Sequence, residues 1–248
     1  MARGVMGILV ALSLAAAPVG AAQQFASDNV RATVIELYTS QGCSSCPPAE
    51  DYLNSLQGDA RLWRRIFPMA LHVDYWDYIG WKDRFAHPRH GQRQRAYARL
   101  LGARTVYTPA FFVNGQPWRR GWFSRQPELA EEEVGQLRVT VDGRQLHAVF
   151  EPAGHTPRVL ELNVAVLGMG LESRIEAGER EGSHTRHEFV VLGMDRVPAV
   201  RGQANRWAGT LPTVTAHGAR QFALLVWVNV AGDITPLQAT GGPLRRDP

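Results

Sequence analysis

The sequence predicts an α/β domain followed by a β-rich domain of antiparallel sandwich type. Three observations lead to this prediction. Two apolar runs with a Cys-x-x-Cys pair and a helical pattern between them have the order strand, helix, strand, which implies a right-handed parallel crossover. Further helical and hairpin signals continue to about residue 135. After residue 136 these signals are replaced by short alternating runs separated by turn residues.

The composition permits a substantial core and limits the classes of partner. The chain has 248 residues, of which 45% are hydrophobic. Its formal net charge is +4, but the basic residues are scattered, whereas nucleic-acid binding requires clustered ones. We therefore expect no nucleic-acid partner. Only two cysteines are present, which excludes a disulfide-dense mini-fold and a four-cysteine zinc site.

Residues 1–22 have the pattern of a secretory signal peptide. Arg3 precedes an apolar run from Gly4 to Val19, and small residues at positions 20–22 favour cleavage after Ala22 or Ala21. An uncleaved membrane anchor is the alternative, but the run is short for a span of roughly 20 residues. We expect a periplasmic or secreted protein in an oxidising compartment, with no membrane span in the mature chain. A membrane-bound redox partner is compatible with that location.

The predicted α/β domain covers residues 23–135. Turn residues and helix-start signals divide it into three strands or hairpins and three helices. In order, these are a strand ending at Tyr38, a helix starting at Pro47, a strand at Phe67–Val73, a helix at Gly91–Leu101, a hairpin around Asn114-Gly115 that begins at Thr108-Pro109, and a helix at Ser124–Val134.

The predicted β-rich domain covers residues 136–248. Asp142-Gly143 has the composition of a tight hairpin turn. Several short strands at this spacing, over roughly 110 residues, fit a small antiparallel sandwich of immunoglobulin-like type. The predicted strands include 137–141, 146–150, 159–167, 188–192 and 222–230.

Cys43 and Cys46 are the candidate catalytic residues. A helix N-terminus offers unpaired N–H groups and a positive dipole end, which stabilise a thiolate and lower its pKa. In this interpretation Cys43 is exposed and attacks, and Cys46 is shielded and resolves the mixed disulfide. Two features oppose it, because Glu50 and Asp51 repel a thiolate and Pro47-Pro48 removes two N–H donors.

Two other interpretations of the cysteine pair remain open. An inert disulfide would stabilise the fold only weakly, because closing so short a loop contributes about 2 kcal/mol. A metal site would need His72, or His87 and His90, and these histidines have no compelling ligand spacing to the cysteines. We expect neither a metal nor a cofactor.

Thr108, Pro109 and Asp74 are candidate auxiliary residues. Two parallel strands end at one edge of a sheet and an antiparallel third strand begins there, so these residues should lie near Cys43. A cis Thr108-Pro109 bond would orient an extended substrate, whereas an ordinary trans proline that opens a strand is the alternative. Asp74 is the candidate proton relay for Cys46, and a loop-capping aspartate explains the same residue equally well.

Several motifs resemble a known family. They are the run Glu36 to Glu50 around the cysteines, the run His72 to Asp83, the segments Tyr107 to Ala110 and Val113 to Gly115, and Ile175 to Glu179. Together they are similar to the secreted bacterial family called domain of unknown function 1223. The resemblance covers most of the mature chain. It implies that the first domain is thioredoxin-like, and it supplies no activity.

From these residues we expect an exported thiol–disulfide oxidoreductase. Its substrate would be a protein or a small molecule carrying a thiol or a disulfide, with Cys43 as nucleophile, Cys46 as resolving residue, and Thr108 and Pro109 positioning the substrate. The alternative is a non-enzymatic envelope binding module in which the Cys43–Cys46 disulfide is only a local structural link.

Overall fold

The structure is a computed structural model that describes residues 21–119, 126–154, 158–245 and 248. The signal peptide expected at residues 1–22 therefore lies, except for its last two residues, outside the described part of the chain. Gln23, the first residue expected after cleavage at Ala22, begins a strand that pairs with the strand starting at Gly135.

Strands form most of the regular structure. Over the described residues they account for 42% and helices for 14%. The two α-helices in this part of the chain are α1 (Pro47–Ser55) and α2 (Pro88–Leu100). The strands are β1 (Gln23–Ala26), β2 (Thr33–Thr39), β3 (Ile66–His72), β4 (Ala110–Val113), β5 (Gln116–Trp118), β6 (Gly135–Asp142), β7 (Gln145–Pro152), β8 (Leu160–Met169), β9 (Leu171–Arg174), β10 (His184–His187), β11 (Val190–Val197), β12 (Arg206–Thr210), β13 (Gln221–Val230) and β14 (Gln238–Pro243).

One eight-stranded sheet runs through both halves of the sequence. Its strand order is β14-β13-β8-β11-β3-β2-β4-β5. β3 is parallel to both of its neighbours, β2 and β11, and the remaining pairs are antiparallel. The junction between the halves lies at β3 and β11, where the backbone N–H of Ala70 donates to the carbonyl of Phe189 at 2.8 Å.

The predicted α/β, thioredoxin-like fold class is wrong, because the fold is β-rich. The strand–helix–strand unit β2-α1-β3 and the β4-β5 hairpin are present, but they belong to the large mixed sheet. In a separate α/β domain, β3 would pair only with strands of that domain. Here β11, from the second half of the sequence, pairs with β3, and β8, β13 and β14 extend the sheet beyond β11. Long apolar strands from residue 160 onward gain more burial by continuing this sheet than by forming only a local one.

The long strands are buried on both faces because successive side chains point to opposite faces of the sheet and an apolar cluster covers each face. In β13, Phe222, Leu224, Val226 and Val228 face one apolar cluster, and Ala223, Leu225 and Trp227 face the other. The first cluster is closed by a four-stranded sheet of order β1-β6-β7-β12. The second cluster includes residues of α1, β2 and β3, so it lies beneath the cysteine-containing loop.

The predicted helix at Ser124–Val134 is wrong over the residues that the structure describes. From 126 to 134 the chain is extended or irregular, and Glu133 forms a bridge with Val30. The N–H of Arg31 donates to the carbonyl of Glu132 at 2.8 Å. Pairing with the segment before β2 thus satisfies backbone groups that the helix would have satisfied internally. Neither α1 nor α2, the described helices, has the length and apolar composition required to cross a membrane.

Candidate functional site

The cysteine pair forms a disulfide in the turn that joins β2 to α1. The Cα atoms of Cys43 and Cys46 are 5.5 Å apart. Cys46 is the N-cap of α1, and its carbonyl accepts from the N–H groups of Ala49 at 2.9 Å and Glu50 at 3.1 Å. Pro47 and Pro48 take the first helical positions, where a missing N–H costs no helical hydrogen bond. The sequence therefore folds locally as expected at this turn.

Both sulfur-bearing side chains are buried in the disulfide form. Cys43 is 1% exposed and Cys46 is 0% exposed, whereas Ser44 and Ser45 between them are exposed. The expectation that Cys43 is exposed is therefore wrong for this state. The Ser45 hydroxyl lies 3.5 Å from the Cys43 sulfur, so the exposed part of the turn contacts the sulfur that a substrate would have to reach.

The segment 75–81 joins the cysteine turn to the Thr108-Pro109 position. Nε1 of Trp76 donates to the Thr108 hydroxyl at 2.6 Å, and Nε1 of Trp81 donates to Oε1 of Gln41 at 2.9 Å. A Cβ placed on Gly42 would lie 3.3 Å from the Cδ1 atom of Ile79. Glycine at position 42 thus allows this segment to pack closely on the turn.

The Thr108-Pro109 bond is cis and lies at the same edge of the sheet as the end of β2. The register of β2 and β4 pairs Tyr38 with Ala110, the residue after Pro109. Pro109 and Ser45 also line one cavity. The structure therefore brings the predicted substrate-positioning residues and the cysteine turn together.

The cavity beside the disulfide turn has a volume of about 360 Å³ and mainly apolar walls. Three of its lining residues are aromatic rings in mutual contact, with centroid separations of 5.7 Å for Tyr52–Phe111, 5.5 Å for Tyr52–Trp118 and 5.4 Å for Phe111–Trp118. Its remaining lining residues are Ser45, Pro48, Ala49, Tyr107, Pro109, Ala110 and Arg119. Such a surface suits an apolar or aromatic group placed next to the turn.

A buried charged pair lies on the inner side of α1. Glu50, 6% exposed, accepts a hydrogen bond from the Thr39 hydroxyl at 2.7 Å. Its second oxygen, Oε2, is 3.5 Å from Nη1 of Arg180. Arg180 is also 6% exposed and lies between β9 and β10. The second half of the sequence therefore supplies a charge to this site.

A second buried pair holds the loop before Cys43. Nδ1 of His72 lies 2.7 Å from Oδ2 of Asp83, and the backbone N–H of Gln41 donates to the same oxygen at 2.8 Å. Burial opposes charge on both residues. Their mutual attraction nevertheless raises the pKa of His72 and lowers the pKa of Asp83. Among the described residues, Nε2 of His72 has no hydrogen-bond partner.

Two further histidines near His72 are held neutral. Burial, followed by the charge of His72, lowers the pKa of His187 to about 3, and its ring centroid lies 5.4 Å from that of His72. Burial lowers the pKa of His90 to about 4, and its Nδ1 donates to the His72 carbonyl at 2.8 Å. In the described ranges no group of three or more His, Cys, Asp or Glu side chains could hold a metal ion.

Asp74, the candidate proton relay, faces α2. Its Oδ1 atom would lie 3.4 Å from a Cβ placed on Gly91. The buried carboxylate on the side of Cys46 belongs instead to Glu50, one helical turn later in the chain. Sequence reasoning treated Glu50 only as a group that repels a thiolate and did not identify Arg180. Residues 175–179, just before Arg180, are one of the motifs that resemble the family, so the sequence did indicate that this segment matters. That motif does not distinguish Arg180 from the many other arginines.

Comparison with known proteins identifies the family. Residues 34–229 match the family described as "Protein of unknown function (DUF1223)". The chain belongs to this family. Within the DUF1223 chain, the match includes the cysteine turn, the Thr108-Pro109 bond and Arg180, and so covers every part of the candidate site.

Two solved structures share the fold of the DUF1223 chain. Protein AGR_C_4864 from Agrobacterium tumefaciens is 22% identical, with 90% of this chain and 98% of that chain covered and a TM-score of 0.55. HBP35 of Porphyromonas gingivalis is 15% identical, with 90% of this chain and 78% of that chain covered and a TM-score of 0.55. At these identities the likeness concerns the fold alone. None of the curated proteins matches the sequence.

Proposed function

We propose that the protein is an exported thiol–disulfide oxidoreductase that works through Cys43 and Cys46. The observation that supports this most is the position of the disulfide. It lies at the start of α1, in a turn that borders an aromatic cavity of about 360 Å³ together with Pro109. A helix N-terminus stabilises a thiolate formed there, and the cavity provides space for the group that carries the substrate sulfur.

The proposed exchange begins at Cys43. A substrate thiolate attacks the Cys43 sulfur, the Cys43–Cys46 bond breaks, and Cys46 leaves with the electron pair as a thiolate. A second substrate thiol, after losing its proton, attacks the substrate sulfur of the mixed disulfide. The substrate is then oxidised to a disulfide and Cys43 is released, so that the protein pair is reduced. The reverse sequence reduces a substrate disulfide.

Access to Cys43 requires the turn at Ser44 and Ser45 to move, because Cys43 is 1% exposed. Both serines are exposed, and Ser45 lines the cavity. A substrate that binds in the cavity would therefore contact the part of the turn that covers the sulfur. Thr108 and Pro109 would position the substrate backbone beside it, as the sequence predicts.

Trapping of the mixed disulfide tests this assignment. In the Cys46→Ser variant, the Cys43 thiolate should attack the disulfide of an oxidised aromatic peptide and release one peptide sulfur as a thiolate. The mixed disulfide should then accumulate, because no resolving cysteine remains. Cys43→Ser should give at most a slow reaction, because Cys46 is held as the N-cap of α1, whereas the turn over Cys43 consists of the exposed Ser44 and Ser45 and can move. Equal trapping by both variants, or trapping by neither, would contradict the assigned roles.

The proposed export rests on the apolar run from Gly4 to Val19 and the small residues that follow it. Mass spectrometry of the envelope fraction should find a mature N-terminus at Gln23 or Ala22. An intact Met1 in a cytoplasmic fraction would refute this part of the proposal.

The burial of both sulfurs favours a second candidate function. A disulfide that no substrate reaches would serve as a structural link, and the aromatic cavity would then hold an envelope partner without redox chemistry. In that case the Cys43→Ser,Cys46→Ser double variant would keep its affinity for an aromatic peptide, and no mixed disulfide would form in the trapping experiment.

A further inference from the structure

The buried surroundings of Cys46 pose an electrostatic problem for the proposed exchange. When the disulfide opens at Cys43, Cys46 becomes a thiolate at a position that is 0% exposed. Glu50 lies one helical turn further along, and its N–H is bonded to the Cys46 carbonyl. Side chains four residues apart lie on one face of a helix. A new negative charge therefore forms close to a buried carboxylate.

Arg180 is the cation that faces this carboxylate. Nη1 of Arg180 is 3.5 Å from Oε2 of Glu50, with side-chain exposures of 5% and 7%. That nitrogen has no hydrogen-bond partner among the described residues. The contact with Glu50 is thus an ion pair without a close hydrogen bond, which leaves the guanidinium with an N–H available for a second anion.

The fold holds Arg180 firmly in this place. The turn that contains it connects β9 to β10, and the N–H of Ser183 donates to the Arg180 carbonyl at 3.0 Å. A Cβ on Gly178 would lie 3.1 Å from the Ile79 carbonyl, so the turn packs tightly against segment 75–81. The turn that contains Arg180 therefore packs on segment 75–81, which in turn packs on the cysteine turn.

We propose that Arg180 is the counter-charge for the Cys46 thiolate, and that the Glu50–Arg180 pair controls how readily the disulfide opens. This inference rests on the proposed exchange chemistry. Glu50 disfavours the thiolate and Arg180 favours it, so the two residues act on the same sulfur with opposite signs. Both act through Cys46 and are positioning residues. The substrate is the same protein or small thiol.

The other titratable groups around the pair come from three elements. His72 lies at the end of β3, Asp83 follows the segment that packs on the turn, and His187 lies on β10. His72 interacts with both Glu50 and Arg180, and His187 interacts with Arg180. Substitutions of Glu50 and Arg180 leave these three side chains in place, and they also change the electrostatic interaction of the pair with His72.

The test is the pKa of Cys46 in the Cys43→Ser background, measured from the ultraviolet absorbance of the thiolate. Glu50→Gln should lower this pKa and Arg180→Gln should raise it, each by about one unit, or tenfold in thiolate fraction at a given pH. In the two-cysteine protein, Glu50→Gln should speed the reduction of the disulfide by glutathione and Arg180→Gln should slow it. Arg180→Lys should restore most of the wild-type behaviour, because it keeps the charge.

A merely structural role would give a different pattern. Loosening of the site by either substitution would move the Cys46 pKa in the same direction, towards the ordinary value of about 8.5, and this result would overturn the inference. Absence of a shift in both variants would overturn it as well. Glu188→Gln is the matched control, since Glu188 is a buried acidic residue, 1% exposed, whose backbone N–H donates to Oδ1 of Asn54 near the other end of α1. It should leave the Cys46 pKa unchanged.

Thermal unfolding identifies variants that fail to fold. In that case Glu50→Asp replaces Glu50→Gln, and the neutral variant Arg180→Met replaces Arg180→Gln. Aspartate moves the carboxylate back by one methylene group and should lower the Cys46 pKa less than glutamine does. The pKa measurement needs no substrate, so it can overturn this inference while trapping of the mixed disulfide supports the exchange chemistry. Conversely, failure to trap a mixed disulfide would contradict the exchange chemistry even if the Cys46 pKa shifts as this inference predicts.

Discussion

Replacement of Asp83 by asparagine tests the buried pair that holds the loop before Cys43. The carboxylate accepts hydrogen bonds from Nδ1 of His72 at 2.7 Å and from the N–H groups of Gln41 at 2.8 Å and Phe85 at 2.9 Å. The side chains of His72 and Asp83 are 1% and 0% exposed. Loss of one partner of such a pair costs about 3 to 5 kcal/mol, because the other charge stays buried without compensation.

The pH dependence of this loss follows from the two pKa shifts. Because Asp83 raises the pKa of His72 against the effect of burial, His72 stabilises the fold below about pH 6.5, and this contribution is lost as the pH rises through its folded pKa. Asp83 has a lowered pKa, so its contribution is present above about pH 4 and is lost as the pH falls. The difference between wild type and Asp83→Asn should therefore be largest between about pH 4 and 6.5.

Urea unfolding followed by tryptophan fluorescence measures the free energy of unfolding across this range. Asp195→Asn is the control, because the Asp195–Arg89 pair is 3.0 Å apart with side chains 52% and 61% exposed, and an exposed pair contributes at most about 1 kcal/mol. If Asp83→Asn loses no more stability than this control, or loses the same amount at every pH, the His72–Asp83 pair does not stabilise the loop before Cys43 by its charge.

Three further predictions concern the core, two glycines and the cavity. Trp227→Ala should lower the free energy of unfolding by about 3 to 5 kcal/mol, since Trp227 is 0% exposed, and a loss below about 1 kcal/mol in urea unfolding would contradict its place in the core. Gly135→Ala should cost more than about 2 kcal/mol, because a Cβ at this φ of +109° would lie 2.1 Å from the Glu151 carbonyl. Gly143→Ala, where nothing lies within 4 Å, should cost about 1 kcal/mol, and equal losses would refute the steric argument. Trp118→Ala should weaken the binding of an aromatic peptide, measured by calorimetry, by about fivefold or more, with Trp118→Phe as control, and an unchanged Kd would exclude this ring from the binding surface.

The local structure around the cysteines could be predicted from the sequence because its signals are local. A buried strand, a turn with small residues, and prolines at the start of a helix all lie within residues 33–55. The position of Thr108-Pro109 at the same edge of the sheet as the end of β2 follows from strand direction and from the Asn114-Gly115 turn. Each of these inferences needs only neighbours in sequence or one strand pairing.

The fold class could not be predicted in this way, because it depends on pairing between distant strands. β3 pairs on one side with β2 and on the other with β11, whose paired residue Val190 is far along the chain from Ala70. A strand buried on both faces has the same apolar pattern in the sequence whether its neighbour is local or distant. The contribution of Arg180 to the site could not be predicted for the same reason. Arg180 is distant from Glu50 in the sequence, and its side chain reaches Glu50 only because β9 and β10 pack over the cysteine turn.

The reduction potential of the Cys43–Cys46 pair, measured by equilibration of the mature protein with glutathione buffers, tests the proposed function most directly. A working redox pair has a potential between about −270 and −120 mV, whereas structural disulfides lie below about −300 mV. An exported thiol–disulfide oxidoreductase that works through Cys43 and Cys46 should have a value in the first range. A value below about −300 mV would contradict the proposed function and would assign the disulfide to the structural role of a binding module.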